Sequence, residues 1–449
     1  MARGFFITTL GCPKNEVDSA KLVGRLASEG YVEVATPEEA DLVVVNTCAF
    51  IEPAREESIE TILELSALRR PGARLAVTGC LAERSGPELA EALPEVDVVA
   101  GFGMDFIDAA VGAEQRPMQT SISTPVRLRE RRDVPSFDLL ELPRPRSNSP
   151  WAYVKVAEGC DRRCGFCAIP SFRGRQRSRS LASILAEVES LQAREIVLVA
   201  QDLASFGHDK GGNGPAEDAD ILTLVEAVAA RVDRVRLLYL YPSSLTDRLV
   251  EAVVATGVPY FDLSLQHVSA SLLRAMKRWG NGDKFIERVR RIRAAAPGAA
   301  LRSSFILGYP GETEEDHDQL LQFVREAELD WAGFFRFSSE TGTYAATLDR
   351  QVPAELALER LRECSELQDG ITARKRADLV GSTISVLVDR RGIARSFREA
   401  PDIDGVVTVP AQLAIGSFAD VVVTGARGPD LEAEIPVRAE IATSARAVS

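Results

Sequence analysis

The sequence predicts an α/β protein in three folded parts: a parallel α/β domain at the N-terminus, an incomplete (β/α)6 barrel in the centre and a small OB-like β-barrel at the C-terminus. Three observations predict it. Short β-rich apolar runs alternate with amphipathic helical stretches over the first 110 residues. The alternation resumes on a larger scale from Trp151, and near the C-terminus helices give way to five short runs separated by Gly, Pro and Asp turns.

Within the first part, "FFITTL", "DLVVVNT", "RLAVTG" and "VDVVAG" read as strands, and helical stretches such as "EVDSAKLVGRLASEG" follow them. Strand and helix in strict alternation is the sequence form of a parallel sheet covered on both faces. Residues 118–150 are rich in Pro, Ser and Arg and keep no period, so they read as a connector. Six strands are expected next, "WAYVKVA", "EIVLVAQ", "RVRLLYL", "YFDLSLQ", "LRSSFIL" and "WAGFFRF", with helices between them. Repeated βα units cross over right-handedly and curl toward a barrel, which six of them leave unclosed. A helix over roughly 353–379 leads to "GSTISVLVD", "IARSFREA", "GVVTVP", "ADVVVTGA" and "EAEIPVRAEI", five strands suited to a small barrel. The expected boundaries are 1–117, 118–150, 151–376 and 377–449.

The formal charge of −13 is unevenly placed: residues 1–117 carry 10 Lys/Arg against 20 Asp/Glu, and residues 377–449 carry 7 against 10. Neither end is built to seek phosphate backbones. No apolar run is long enough to span a bilayer and no leader pattern is visible, which reads as a cytoplasmic protein with no membrane partner. Seven cysteines without a secretory context point to reduced thiols in metal or redox use.

Three of those thiols, Cys160, Cys164 and Cys167, lie in "AEGCDRRCGFCAIP" and have no fourth beside them. A zinc knuckle completed by a distant His or Cys would account for the spacing. So would a closed iron-sulfur cluster completed by Cys364, although "ERLRECSELQ" reads as a helix with a packing thiol. The third reading is a [4Fe-4S] cubane with one iron left open for a ligand. The loop leaves the C-terminal end of the first barrel strand, where (β/α) barrels place active sites.

C-x3-C-x2-C with Phe166 just before the last cysteine resembles the radical S-adenosylmethionine (SAM) superfamily. That resemblance implies that SAM chelates the open iron and, on reduction, yields a 5'-deoxyadenosyl radical. In the first domain, Cys12, Cys48 and Cys80 each close a predicted parallel strand in the turn before a helix. Taken singly, each is most simply a buried core thiol. Three at equivalent strand ends converge on the ligand-binding edge of the sheet, and they imply a second cubane, suited by its soft iron to handling sulfur.

The whole chain resembles the methylthiotransferases, whose C-terminal module is called TRAM. "LGCPKN", "AEGCDRRCGFCAIPSFRGR", "YLYPSSLTD", "LQH" and "FILGYPGETEED" are similar to the RimO-type branch, which modifies an aspartate β-carbon of the twelfth small-subunit ribosomal protein. The MiaB-type branch, which modifies a tRNA adenosine, tends to read "GCQMN" where Pro13 and Lys14 stand here. The resemblance implies two [4Fe-4S] clusters, SAM, a ribosomal protein substrate free or on the ribosome, an electron donor and a sulfur donor. A C-terminal module of net −3 agrees with a basic protein partner better than with tRNA. Three mouth loops depart from the RimO pattern: Ser264 replaces a usual proline, and "RWGNGDKF" and "QDLASFG" differ from the common forms. Rival readings are the same chemistry on tRNA, and a non-catalytic iron-sulfur or zinc protein.

Gln201 and Asp202 end the second barrel strand, and Gln266 and His267 end the fourth. Gln201 and His267 are candidates for cofactor or substrate contact, against the plainer reading of capping and loop hydrogen bonds. His208 and His317 lie in polar runs and read as solvated. "GYPGET" lacks the Lys-Ser/Thr of a phosphate loop and reads as a tight turn. No general acid or base can be assigned.

Overall fold

The computed structural model describes residues 3–101, 110, 139–210 and 220–436. Its N-terminal sheet has five parallel strands, β1 (Arg3–Thr9), β2 (Tyr31–Glu33), β3 (Leu42–Thr47), β4 (Arg74–Gly79) and β5 (Val98–Val99), in the order β2-β1-β3-β4-β5. Helices α1 (Pro13–Ser28), α2 (Glu52–Leu68) and α3 (Cys80–Ala92) follow β1, β3 and β4. Every residue of β3 is buried, as a β-branched run covered on both faces requires. Strand β2 escaped the sequence reading because three residues at a sheet edge, one of them buried, carry too little pattern. The strand order reverses between β1 and β3. In open α/β sheets a ligand crevice forms at such a reversal, beyond the carboxyl ends of the strands.

The connector is described from residue 139. Its Leu139 and Leu140 are buried in a turn, and Lys21 of α1 donates to the Leu140 carbonyl, so the connector is packed against the first domain there. The Arg-rich stretch at 127–132 and the helix expected after "VDVVAG" lie outside the described residues.

All six expected central strands form: β6 (Trp151–Lys155), β9 (Glu195–Val199), β10 (Arg234–Leu237), β11 (Tyr260–Gln266), β12 (Ala300–Leu307) and β13 (Trp331–Arg336). Between β6 and β9, a two-strand ribbon of β7 (Ala157–Glu158) and β8 (Arg177–Ser178) flanks the cysteine loop. Parallel pairing runs β6-β9-β10 and β11-β12-β13, and a bridge from Leu240 to Leu263 joins the halves. Among the described residues β13 does not pair with β6, so the barrel stays open. Ser180, Asp220, Thr246, Asn281 and Thr313 cap the five longer outer helices by accepting from their first turns, each contributing about 1 kcal/mol.

The C-terminal strands β14 (Thr383–Arg390), β15 (Ile393–Arg395), β16 (Val407–Thr408), β17 (Phe418–Arg427) and β18 (Asp430–Glu434) close into a barrel over Val386, Val388, Val421 and Leu431. The fifth begins earlier than "EAEIPVRAEI" suggests, and residues from 437 onward lie outside the described ones. Segment 397–404 seals the lower end of the central barrel: Trp331 donates to the Arg398 carbonyl and Tyr260 to Asp404. Val17 of α1, Tyr153 and Tyr260 of the barrel wall and Ala400 share one apolar cluster, so all three parts contribute to the barrel's filling. Among the described residues no helix is long and apolar enough to cross a membrane.

Candidate iron-sulfur and SAM site

Glycine fixes where three of the six candidate cysteines stand. Gly11, Gly79 and Gly159 precede Cys12, Cys80 and Cys160, with φ of +97°, +94° and +79°. A Cβ on Gly11 would lie 2.8 Å from Cys48 Sγ; on Gly79, 2.4 Å from Asn46 Oδ1; on Gly159, 2.1 Å from the Arg175 carbonyl. Only glycine takes this backbone and this crowding.

Strand ends bring Cys12, Cys48 and Cys80 together at the reversal between β1 and β3 and beside it at β4. Asn15, one turn into α1, stitches them: its Nδ2 donates to the carbonyls of Leu10 (2.9 Å) and Thr47 (3.0 Å), and its Oδ1 lies 3.6 Å from Cys80 Sγ. Ser58 of α2 holds the Cys48 backbone at both N–H and carbonyl. Burial pushes the Cys48 thiol up to about 11, helped by its neighbours Cys80 and Cys12. Burial also raises Cys80, opposed by the guanidinium of Arg173.

The second triad sits in the loop after β7, pinned by backbone bonds from Gly165 to Met276 and from Ala345 to Gly165. The Arg162 N–H donates to Cys160 Sγ and Arg278 Nη1 to Cys164 Sγ, each at 3.4 Å. Both guanidiniums lie about 4 Å from the Tyr241 ring, at 3.9 and 4.0 Å, and Arg162 is further fixed by Asp202 at 2.6 Å. Burial raises Cys160 to about 11 and Cys167 to about 12.

All seven cysteines are free thiols. Without a cation, burial holds the shifted ones protonated at neutral pH; a bound metal removes the proton and supplies the missing charge. Among the described residues no three His, Cys, Asp or Glu groups are gathered as ligands of a single metal ion. A cubane places its irons at separate corners and takes thiolates from a wider footprint. Two sets of three soft donors, each near a cationic side chain, fit such a cluster with one corner open.

Cys364 is fully buried in the barrel core and belongs to neither set. Gln201 does stand at the mouth: its Nε2 donates to Glu158 Oε1 at 2.6 Å, and its buried Oε1 has no partner among the described residues. His267 lies deeper than Gln201. It is fully enclosed, its Nδ1 accepts from the Ser269 N–H, and burial lowers it to about 4. Its Nε2 has no partner among the described residues. His317 is likewise buried, 2.7 Å from Glu363 Oε2, and not solvated, whereas His208 is exposed. In "GYPGET", Gly308 and Gly311 have positive φ, and Glu312 accepts from the Gly308 and Tyr309 N–H groups, a tight turn as expected.

Residues 4–101 match the model of an uncharacterized protein family (UPF0004), 154–324 that of the radical SAM superfamily, and 380–435 that of the TRAM domain. Ribosomal protein uS12 methylthiotransferase RimO of Streptomyces coelicolor is 38% identical, covering 96% of this chain and 97% of its own length. RimO of Moorella thermoacetica is 42% identical over 90% of this chain and 92% of its own. The chain belongs to the RimO methylthiotransferase family. A solved radical SAM methyltransferase, TsrM from Kitasatospora setae, shares the fold at a TM-score of 0.51 and 18% identity, covering 74% of this chain and 73% of that one. A RimO-family reading of the cysteines alone misses Asn15, Arg173 and Arg278. Arg173 lies inside the matched stretch "SFRGR", yet nothing in its spacing says that it reaches another domain.

Proposed function

We propose that this chain is a two-cluster radical SAM methylthiotransferase that adds a methylthio group to the β-carbon of an aspartate in ribosomal protein uS12. One observation carries the reading: two separate sets of three free thiols stand on either side of one interface, and Arg173 spans it, 3.0 Å from Cys80 Sγ and 3.0 Å from Glu158 Oε2. Cys160, Cys164 and Cys167 would hold the SAM cluster, and Cys12, Cys48 and Cys80 the second cluster. Bound there, the two [4Fe-4S] clusters and SAM supply the electron, the hydrogen-abstracting radical, the methyl group and a soft site for sulfur.

The chain's own side chains define the space between. Arg162 and Arg278 face Cys160 and Cys164 with N–H donors and hold Tyr241 between them. Gln201 offers an acceptor at the mouth. Lys14, 3.4 Å from the Tyr239 ring, ties the first turn of α1, just after Cys12, to the segment that follows β10. The acidic first domain, net −10 over residues 1–117, steers a basic ribosomal protein toward this interface. An electron donor and a sulfur donor complete the reaction, and the substrate sets the cytoplasm as its place. Division at 1–117, 118–150, 151–376 and 377–449 assigns one role to each part.

Anaerobic reconstitution tests the reading. Two cubanes per chain, reductant-dependent SAM cleavage and a methylthio mass increment on uS12 are expected. The increment on unmodified tRNA instead would transfer the chemistry to the nucleic acid, and bound zinc without SAM turnover would end it.

A further inference from the structure

Arg173 follows Cys167 by six residues and belongs to the central barrel, yet its partners lie mostly in the first domain. Its Nη2 donates to Cys80 Sγ at 3.0 Å and to Asn15 Oδ1 at 2.8 Å; its Nη1 donates to Asp18 Oδ2 and Glu158 Oε2, both at 3.0 Å. Lys155, fully buried, donates to the same two carboxylates. Two cations and two carboxylates thus form a buried quartet that is neutral by itself and spans the domain boundary. Breaking such a quartet at one member strands a buried charge, which explains why it holds one geometry. Glu158 stands two residues before Cys160 and accepts from the Gly159 N–H, while Arg173 reaches the Cys80 sulfur, so the quartet adjoins both cysteine sets.

Nothing in the quartet requires a fifth, sulfur partner: Asn15, Asp18 and Glu158 already give the guanidinium three acceptors. The Cys80 contact is an added one, delivered from the barrel to a thiol of the other domain. A cationic donor on a cluster sulfur stabilises the more negative, reduced state, because the added electron density falls partly on that sulfur. We propose that Arg173 is a positioning residue through which the barrel raises the reduction potential of the cluster held by Cys12, Cys48 and Cys80. This rests on the two-cluster reading above.

The test uses the full chain with Cys160, Cys164 and Cys167 changed to alanine, leaving one cluster, and compares Arg173, Arg173→Lys and Arg173→Met by redox titration followed by electron paramagnetic resonance. A lower midpoint potential is expected for Arg173→Met, and a smaller shift in the same direction for Arg173→Lys, which keeps the charge and loses the fork. Should Arg173→Met fail to fold, Arg173→Lys alone decides. In the complementary chain, with Cys12, Cys48 and Cys80 changed to alanine, Arg173→Lys should leave the potential of the barrel cluster unmoved. A fully loaded N-terminal cluster with unchanged potential in the variants overturns the proposal and leaves the two-cluster reading intact. An N-terminal triad that takes up no cluster before any change at Arg173 overturns both.

Discussion

The two cysteine sets reach similar surroundings by opposite routes. In the barrel, Cys160, Cys164 and Cys167 lie within one eight-residue loop, and the fold only needs to pin that loop. In the first domain, Cys12 and Cys80 stand 68 positions apart, and three strand ends must line up before the thiols meet. One site is written in spacing, the other in topology. A short loop tolerates drift in the sheet beneath it, whereas a set distributed over β1, β3 and β4 inherits every error in register.

The sharpest way to break this pairing is to remove one ligand from each. Cys164→Ala should abolish SAM cleavage and about half the bound iron. Cys80→Ala should lose the other half, keep SAM cleavage and give no methylthio product; iron analysis with a cleavage assay separates the two. The next effect is steric. Gly79→Ala and Gly159→Ala force a Cβ into a positive-φ position against backbone or a fixed side chain. Each should destabilise its own part by about 2 kcal/mol or more, seen as one early thermal transition and loss of one cluster. Equal damage to both sites from either change would show that they are not independent.

Docking gives a smaller effect. Glu340, nearly buried beyond β13, receives Arg55 of α2 and Arg84 of α3, each at 2.6 Å, and so ties the helices that follow Cys48 and Cys80 to the barrel. Glu340→Gln should leave SAM cleavage intact and lower methylthio transfer about tenfold, because small misplacements of reacting groups are costly.

The pH response should be common to both sets. In the unloaded chain, Cys48 and Cys160 ionise near about 11, against 9.0 for an ordinary thiol. The unfolded chain therefore loses these protons first, and stability falls as pH rises from 9 toward 11. Alkylation followed by mass mapping should give matching profiles for Cys48 and Cys160; profiles differing by more than about one pH unit would mean the surroundings are not equivalent. Least affected is Cys364→Ala. It should cost about 1–2 kcal/mol for a small cavity and change no iron content.

Much of this was legible in the chain. Alternating apolar runs located all six barrel strands, because buried parallel strands are nearly continuous in Val, Ile and Leu. Turn residues likewise located the five C-terminal strands, with the last displaced by two residues at its start. The distributed triad was legible because each cysteine abuts a strong strand pattern. The depth of His267 was not legible: the end of a barrel strand places a residue near the mouth but leaves its side-chain direction open, and positive φ at Gln266 accompanies a fully enclosed ring. His317 misled because its polar run is one face of a helix whose other face is buried. Arg173 was out of reach, since a contact between domains has no period or spacing.

The scattering of Cys12, Cys48 and Cys80 over three strand ends also bears on the order in which the protein matures. The barrel loop closes over only eight residues, so an unfolded or nascent chain can already offer its three sulfurs to iron at small entropic cost. The first domain has no pocket to offer until β1, β3 and β4 are paired. Metal delivery to that end must therefore wait for the sheet, and refolding with iron present should fill the loop ahead of the sheet edge.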